Sequence, residues 1–123
     1  MVRRYEIHLA NLDPTVGAEI NKTRPVVIVS DDRMNRYLKT VVTCPLTTKL
    51  HPTWRSRLQV TCEGKHAEVA IDQIRALAKS RLIRKLDQLD DSDGRRLRLL
   101  ISEMYGETSG RGGDLKAVER SRP

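Results

Sequence analysis

Three polar clusters stand at the ends of apolar, strand-like runs. Glu19 and Arg24 precede VVIV at 26–29, Thr47 and Thr48 follow VVTCP at 41–45, and Asp72, Gln73 and Arg75 interrupt VAIDQIRAL at 69–77. Strand ends are rigid mounts, and a catalytic or binding group needs that rigidity. A guanidinium, a hydroxyl and a carboxylate brought together can grip anionic oxygens, donate an oriented hydrogen bond and accept a proton. Arg24 is also aimed by its neighbour. Pro25 disfavours the helical region for the residue before it and holds Arg24 extended. On local sequence alone the same dipeptide reads first as a strand-starting proline beside a solvated arginine, and only second as a catalytic group.

Other chemistries find little footing. His8, His51 and His66 are far apart in sequence and none pairs with Cys, Asp or Glu at a ligand spacing, so no metal site is expected. They read as surface or strand-face histidines. GxSxG, HExxH and a Gly-rich phosphate loop are all missing. Cys44 and Cys62 sit inside strand-like segments without CxxC spacing and read as buried free thiols.

The elements that must position the polar clusters follow from pattern and length. At 123 residues the chain has room for one modest core. Lysine and arginine number 23 against 16 acidic residues, a net charge of +7 that points to nucleic acid, an acidic peptide or a lipid surface as partner. No apolar run approaches the roughly 20 residues needed to span a bilayer. The start, MVRRYEIHLA, lacks the apolar core of a secretory leader, so the expected location is cytoplasmic with no membrane contact.

Strands are expected at 3–9, 26–30, 39–45, 57–62 and 67–77, separated by polar, turn-prone segments. In the first, Tyr5, Ile7 and Leu9 alternate with Arg4, Glu6 and His8, which predicts one buried and one solvated face. The connection through NLDPTVGAEINKT is about a dozen residues, a length that usually serves function. Five mainly antiparallel strands with almost no aromatics predict a small barrel. KSRLIRKL at 79–86 reads as a short helix, a solvated basic face that adds non-specific attraction. Residues 90–106 form a longer helix, capped by Asp90 with Asp93, stopped at Gly106, and carrying Leu97, Leu100, Ile101 and Met104 on one stripe. The Gly-rich, charged segment 107–123 is expected to be a disordered tail after a domain spanning 1–106.

The blocks LDPTVGAEINKTRPVVIVS, VTCPLTT and IDQIRAL, followed by an amphipathic helix, resemble the MazF/PemK toxins of toxin–antitoxin systems, from about Tyr5 to about Gly106. The resemblance implies an SH3-like barrel with a C-terminal helix and a homodimer with single-stranded RNA lying in a groove across it. It also implies sequence-specific, metal-independent, ribosome-independent endoribonuclease activity without a cofactor. An acidic, MazE-like antitoxin would occupy the same groove, and DNA would be met only through the antitoxin complex. Matched position by position, the family's loop glutamate falls on Glu19, its arginine on Arg24, its threonine on Thr47 and its later DQ on Asp72 and Gln73. PemK-type members carry an arginine two residues before that aspartate. Here the residue is Ala70.

Attack by a ribose 2′-hydroxyl on the neighbouring phosphate needs no outside nucleophile, only stabilisation of a crowded dianion and movement of two protons. A guanidinium matches two phosphate oxygens and stays charged, so Arg24 is assigned mainly electrostatic stabilisation, with general-acid character as the alternative. Thr47 would donate to a non-bridging oxygen, a contribution of about 3 kcal/mol for one such donor. Glu19 would accept the hydroxyl proton or read a base. The company of Glu19, Thr47 and the matching blocks decides Arg24 for catalysis. Further RNA contacts are expected from Asn21, Lys22, Thr48, Lys49, Trp54, Arg55, Arg57, Asp72 and Gln73. In KLHPTWRSR the tryptophan among cations is a stacking platform for an unpaired base or, alternatively, a structural anchor. Two other readings stay open. One is a gyrase-binding toxin resembling CcdB, against which the Tyr105-Gly106-Glu107 ending speaks; the other is a non-catalytic RNA-binding or autoregulatory member.

Overall fold

The computed structural model describes residues 1–12 and 23–107. Seven strands, two helices and two single 3-10 turns are found there: β1 (Glu6–Asn11), β2 (Thr23–Ile28), α1 (Asp32–Tyr37), β3 (Thr40–Thr47), β4 (Arg57–Cys62), β5 (Lys65–Ala70), β6 (Arg75–Ala78), β7 (Leu82–Gln88) and α2 (Asp91–Tyr105), with 3-10 turns at Ile71–Gln73 and Lys79–Arg81. The strands run antiparallel in the order β4-β5-β3-β2-β1-β7, with β6 also on β3, and curl into a half-barrel.

β3 is the organising strand. On one edge it pairs with β2, Val26 facing Pro45 and Ile28 facing Thr43. On the other it pairs first with β6, from Thr40 to Thr43, and then with β5, at Leu46 and Thr47. Pro45 lies between those two partners, where its missing N–H interrupts no ladder on that edge. Pro25 follows the same logic. β2 starts at Thr23 rather than at 26, but its ladder to β3 begins only at Val26.

The larger core gathers Ile7, Val27, Leu46, Leu58, Val60, Val69 and Ile71 from the sheet and Leu97 from α2. A smaller one gathers Ala10, Val26, Ile28, Val41 and Leu77. α2 is capped as expected, the Asp90 carboxylate accepting from the Asp93 N–H at 2.8 Å, and ends at Gly106. Its stripe is buried at Leu97, partly buried at Leu100 and Ile101, and exposed at Met104.

Several expectations need correction. The 67–77 run is two strands, because Ile71–Gln73 turns the chain from β5, which pairs with the end of β3, to β6, which pairs with its start. The segment 79–86 is not a helix. After the 3-10 turn its residues form β7, which completes the outer edge of β1, and backbone pairing there overrides a weak helical pattern. β1 has no solvated face: Glu6 and His8 are buried and hydrogen-bonded to each other at 2.9 Å. α1 was not anticipated, although Asp31 caps it by accepting from the Met34 N–H. Cys44 and Cys62 are buried free thiols, as read. The connection 13–22, and with it Glu19, Asn21 and Lys22, lies outside the described residues, as does the tail from 108 on.

Candidate functional site

Sheet register assembles the site. Thr47 on β3 pairs with Glu68 on β5, and Glu68 pairs with Gln59 on β4. Cross-strand partners point to the same side of a pleated sheet, so these three side chains form one row. The β2–β3 register, continued two residues past Val26 and Pro45, sets Arg24 opposite Thr47. Arg24 and Thr47 line two adjoining clefts. One, of about 330 Å³, has an apolar floor of Leu46, Cys62 and Ala67 and a rim that includes Thr48, Lys65 and His66. The other, of about 180 Å³, also takes in Lys49, His51, Arg57 and Gln73.

Thr47 is half-buried, and its Oγ1 accepts from the Lys49 N–H at 3.0 Å, which orients the hydroxyl while leaving its own proton to give. Arg24 is exposed at the head of β2. Beneath them Glu68 has no exposed surface and accepts from the His51 N–H, Gln59 Nε2 and Arg57 Nη1 at 2.7, 2.7 and 2.8 Å. Burial pushes its carboxyl up, but those bonds and the Arg57 charge prevail and hold it below the usual carboxylate range. Asp72 follows the same pattern: burial raises it, the Arg57 guanidinium beside it lowers it further, and it stays ionised.

Arg57 is committed to these acids. Its side chain is 5% exposed, pairs with Glu68 and with Asp72 at 2.9 Å, and lies 4.6 Å from the centre of the Trp54 ring. Trp54 stacks on His51 with ring centres 3.9 Å apart and 12° between planes, yet keeps 47% of its surface exposed. Arg55 points away from both clefts, meeting Glu103 of α2 at 3.3 Å with 84% of its side chain exposed. Of the expected RNA contacts, then, Thr48, Lys49, Arg57 and Gln73 line the clefts, Asp72 and Trp54 brace Arg57, and Arg55 stands apart.

Glu68, Gln59, His51 and His66 were not singled out for the site from sequence. Glu68 was the legible one: a single acid inside AEVAI occupies a position that an apolar strand would fill. The thiols add no nucleophile. Burial pushes Cys44 up to about 12 and also raises Cys62. Among the described residues no three His, Cys, Asp or Glu side chains gather in a way that would hold a metal ion, and no helix is long and apolar enough to cross a membrane.

Residues 3–105 match the family model described as PemK-like, MazF-like toxin of type II toxin–antitoxin system. The chain belongs to this family. It is 35% identical over 99 residues to the endoribonuclease MazF of Staphylococcus saprophyticus, an alignment covering 74% of this chain and 80% of that one. The fold is shared with an endoribonuclease from a mycobacterial species solved with its cognate antitoxin, at a TM-score of 0.73 and 20% identity over 86% of this chain and 96% of that one. It is also shared with the MazE–MazF complex of Deinococcus radiodurans, at a TM-score of 0.71 and 16% identity over 87% and 97%. The SH3-like barrel with a C-terminal helix expected for a MazF/PemK toxin is the fold observed, with seven strands among the described residues in place of about five.

Proposed function

We propose that this MazF-like toxin is an endoribonuclease that cuts single-stranded RNA at specific short sequences, without a metal or the ribosome, by attack of the ribose 2′-hydroxyl. One observation carries the reading: Arg24 and Thr47, from the ends of different strands, line the same two clefts. A phosphate at their junction would have a permanent charge on one side and an oriented O–H donor on the other, the pair that a phosphorane dianion requires. Glu19 is kept as a candidate base or base reader, and Asn21 and Lys22 as RNA contacts. Thr48, Lys49 and Gln73 would hold flanking nucleotides, with Trp54 offering its exposed face for stacking. Arg57 and Asp72 would shape the cleft wall through their mutual ion pair. An acidic antitoxin would block the same clefts, as the complexes of its fold relatives suggest, and a homodimer would extend the groove. DNA would be reached only through that complex, and the setting is the cytoplasm.

The test is digestion of a long defined RNA in the presence of a chelator, with ends mapped by primer extension. Arg24→Ala and Thr47→Ala should each lower cleavage at least a hundredfold while circular dichroism and unfolding midpoint stay near wild type. Upstream products should carry a 2′,3′-cyclic phosphate. Full activity in both variants overturns the proposal.

A further inference from the structure

Beside the Arg24–Thr47 pair stands an imidazole whose proton position is dictated by its neighbours. Glu68 is ionised and can only accept, so the Gln59 atom 2.7 Å away must be the amide NH₂. The other end of Gln59 is therefore its carbonyl oxygen, an acceptor, and it faces His66 Nε2 at 2.8 Å. Nε2 must carry the hydrogen in that bond. In the neutral ring the lone pair is then left on Nδ1. A base ring oriented by one hydrogen bond, which is itself oriented by a buried carboxylate, is the logic of an activated general base with an amide inserted as relay.

The ring is also in the right place. His66 lies two residues from Glu68 on β5, so it shares that residue's side of the sheet and is the diagonal neighbour of Thr47 across β3, a separation of about 7–8 Å. It is exposed and shares the larger cleft with Arg24 and Thr47. The charged groups around it are Arg24 from β2, Lys65 and Glu68 on its own strand and Glu63 in the turn before it. Arg57 of β4 reaches only the far oxygen of Glu68.

We infer that His66 is the general base of this toxin: Nδ1 takes the proton of the 2′-hydroxyl, in a tautomer held by Gln59 and, through Gln59, by Glu68. As the proton moves to Nδ1, the 2′-oxygen bonds to phosphorus, the bond to the 5′-oxygen breaks, that oxygen leaves with a proton from water, and the hydroxide so formed takes the proton back from Nδ1. The products are a 2′,3′-cyclic phosphate and a 5′-hydroxyl. Gln59 is a positioning residue in this scheme. The inference rests on the nuclease reading above and deepens it, choosing His66 over Glu19 as the base and leaving Glu19 the role of base reader.

Two measurements test it. Long-range proton–nitrogen NMR of the histidine-labelled protein, free of RNA, should show neutral His66 as the Nε2–H tautomer, and Gln59→Leu should relax that preference. An Nδ1–H tautomer in the wild type overturns the proposal without any appeal to activity. In the chelated RNA assay, wild-type rate should rise with pH along an acidic limb. His66→Gln should lower the rate on the order of 10² to 10⁴-fold and abolish the limb, and free imidazole should restore part of the rate to His66→Ala. If the wild type cuts and His66→Gln cuts as well, or if the limb survives there and vanishes in His51→Gln, the base is not His66 while the nuclease reading stands. If the wild type cuts no RNA at any pH, both fall.

Discussion

Glu68 shows how a single residue can serve stability and chemistry together. It has no exposed surface and three donors, and its partner Arg57 is almost as deeply covered. Removing one member of such a pair strands the other charge, so Glu68→Ala should cost about 3–5 kcal/mol, read from the denaturant midpoint. The sign of its pH dependence is fixed. Because the folded carboxyl lies below its ordinary value of 4.5, the unfolded chain binds the proton more readily, and the stabilisation is full above 4.5 and lost as pH falls through the lowered folded value. Wild type should therefore weaken with acid over that window more steeply than Glu68→Ala. Equal slopes would show that the carboxylate is not held by its three donors. Glu68 was readable as the lone acid inside AEVAI, but its relay to His66 was not, because the contacts join residues on two strands and a loop. By contrast Arg24 and Thr47 were legible, since each lies beside the end of an apolar run.

Among the elements, the join between α2 and β1 carries the least slack. A Cβ built on Gly94 would come within 2.9 Å of two ring carbons of Tyr5. Tyr5 cannot easily retreat: its φ is 72°, its N–H donates to the Ile28 carbonyl at 2.7 Å, and its own carbonyl accepts from Leu89. Helix propensity favours alanine over glycine by about 1 kcal/mol, yet here overpacking should win and Gly94→Ala should destabilise by about 1–3 kcal/mol. Calorimetry of the pair with Tyr5→Ala decides it: in that background the same substitution should turn neutral or stabilising. The extent of α2 was readable because Asp90 and Gly106 are local signals. β7 was misread as a helix because what makes it a strand is the vacant edge of β1, about 75 residues upstream. The division of 67–77 into β5 and β6 was hidden for the same reason, since β3 needs two partners on one edge.

At the scale of the whole molecule, the positive charge pointed to an anionic partner, and the clefts meet it with Arg24, Lys49 and Lys65 on their rims. Separated sequence blocks in a fixed order identified the family, whereas strand count and the pairing of β3 needed coordinates. The two thiols reach different depths in this architecture. Cys44 lies in the middle of β3 with no exposed surface, while Cys62 at the end of β4 forms part of the cleft floor. An alkylating reagent therefore has two clocks in one chain. Modification of Cys62 should report occupancy of the cleft, slowing when an uncleavable RNA oligonucleotide is added. Modification of Cys44 should wait for the sheet to open and keep time with global unfolding.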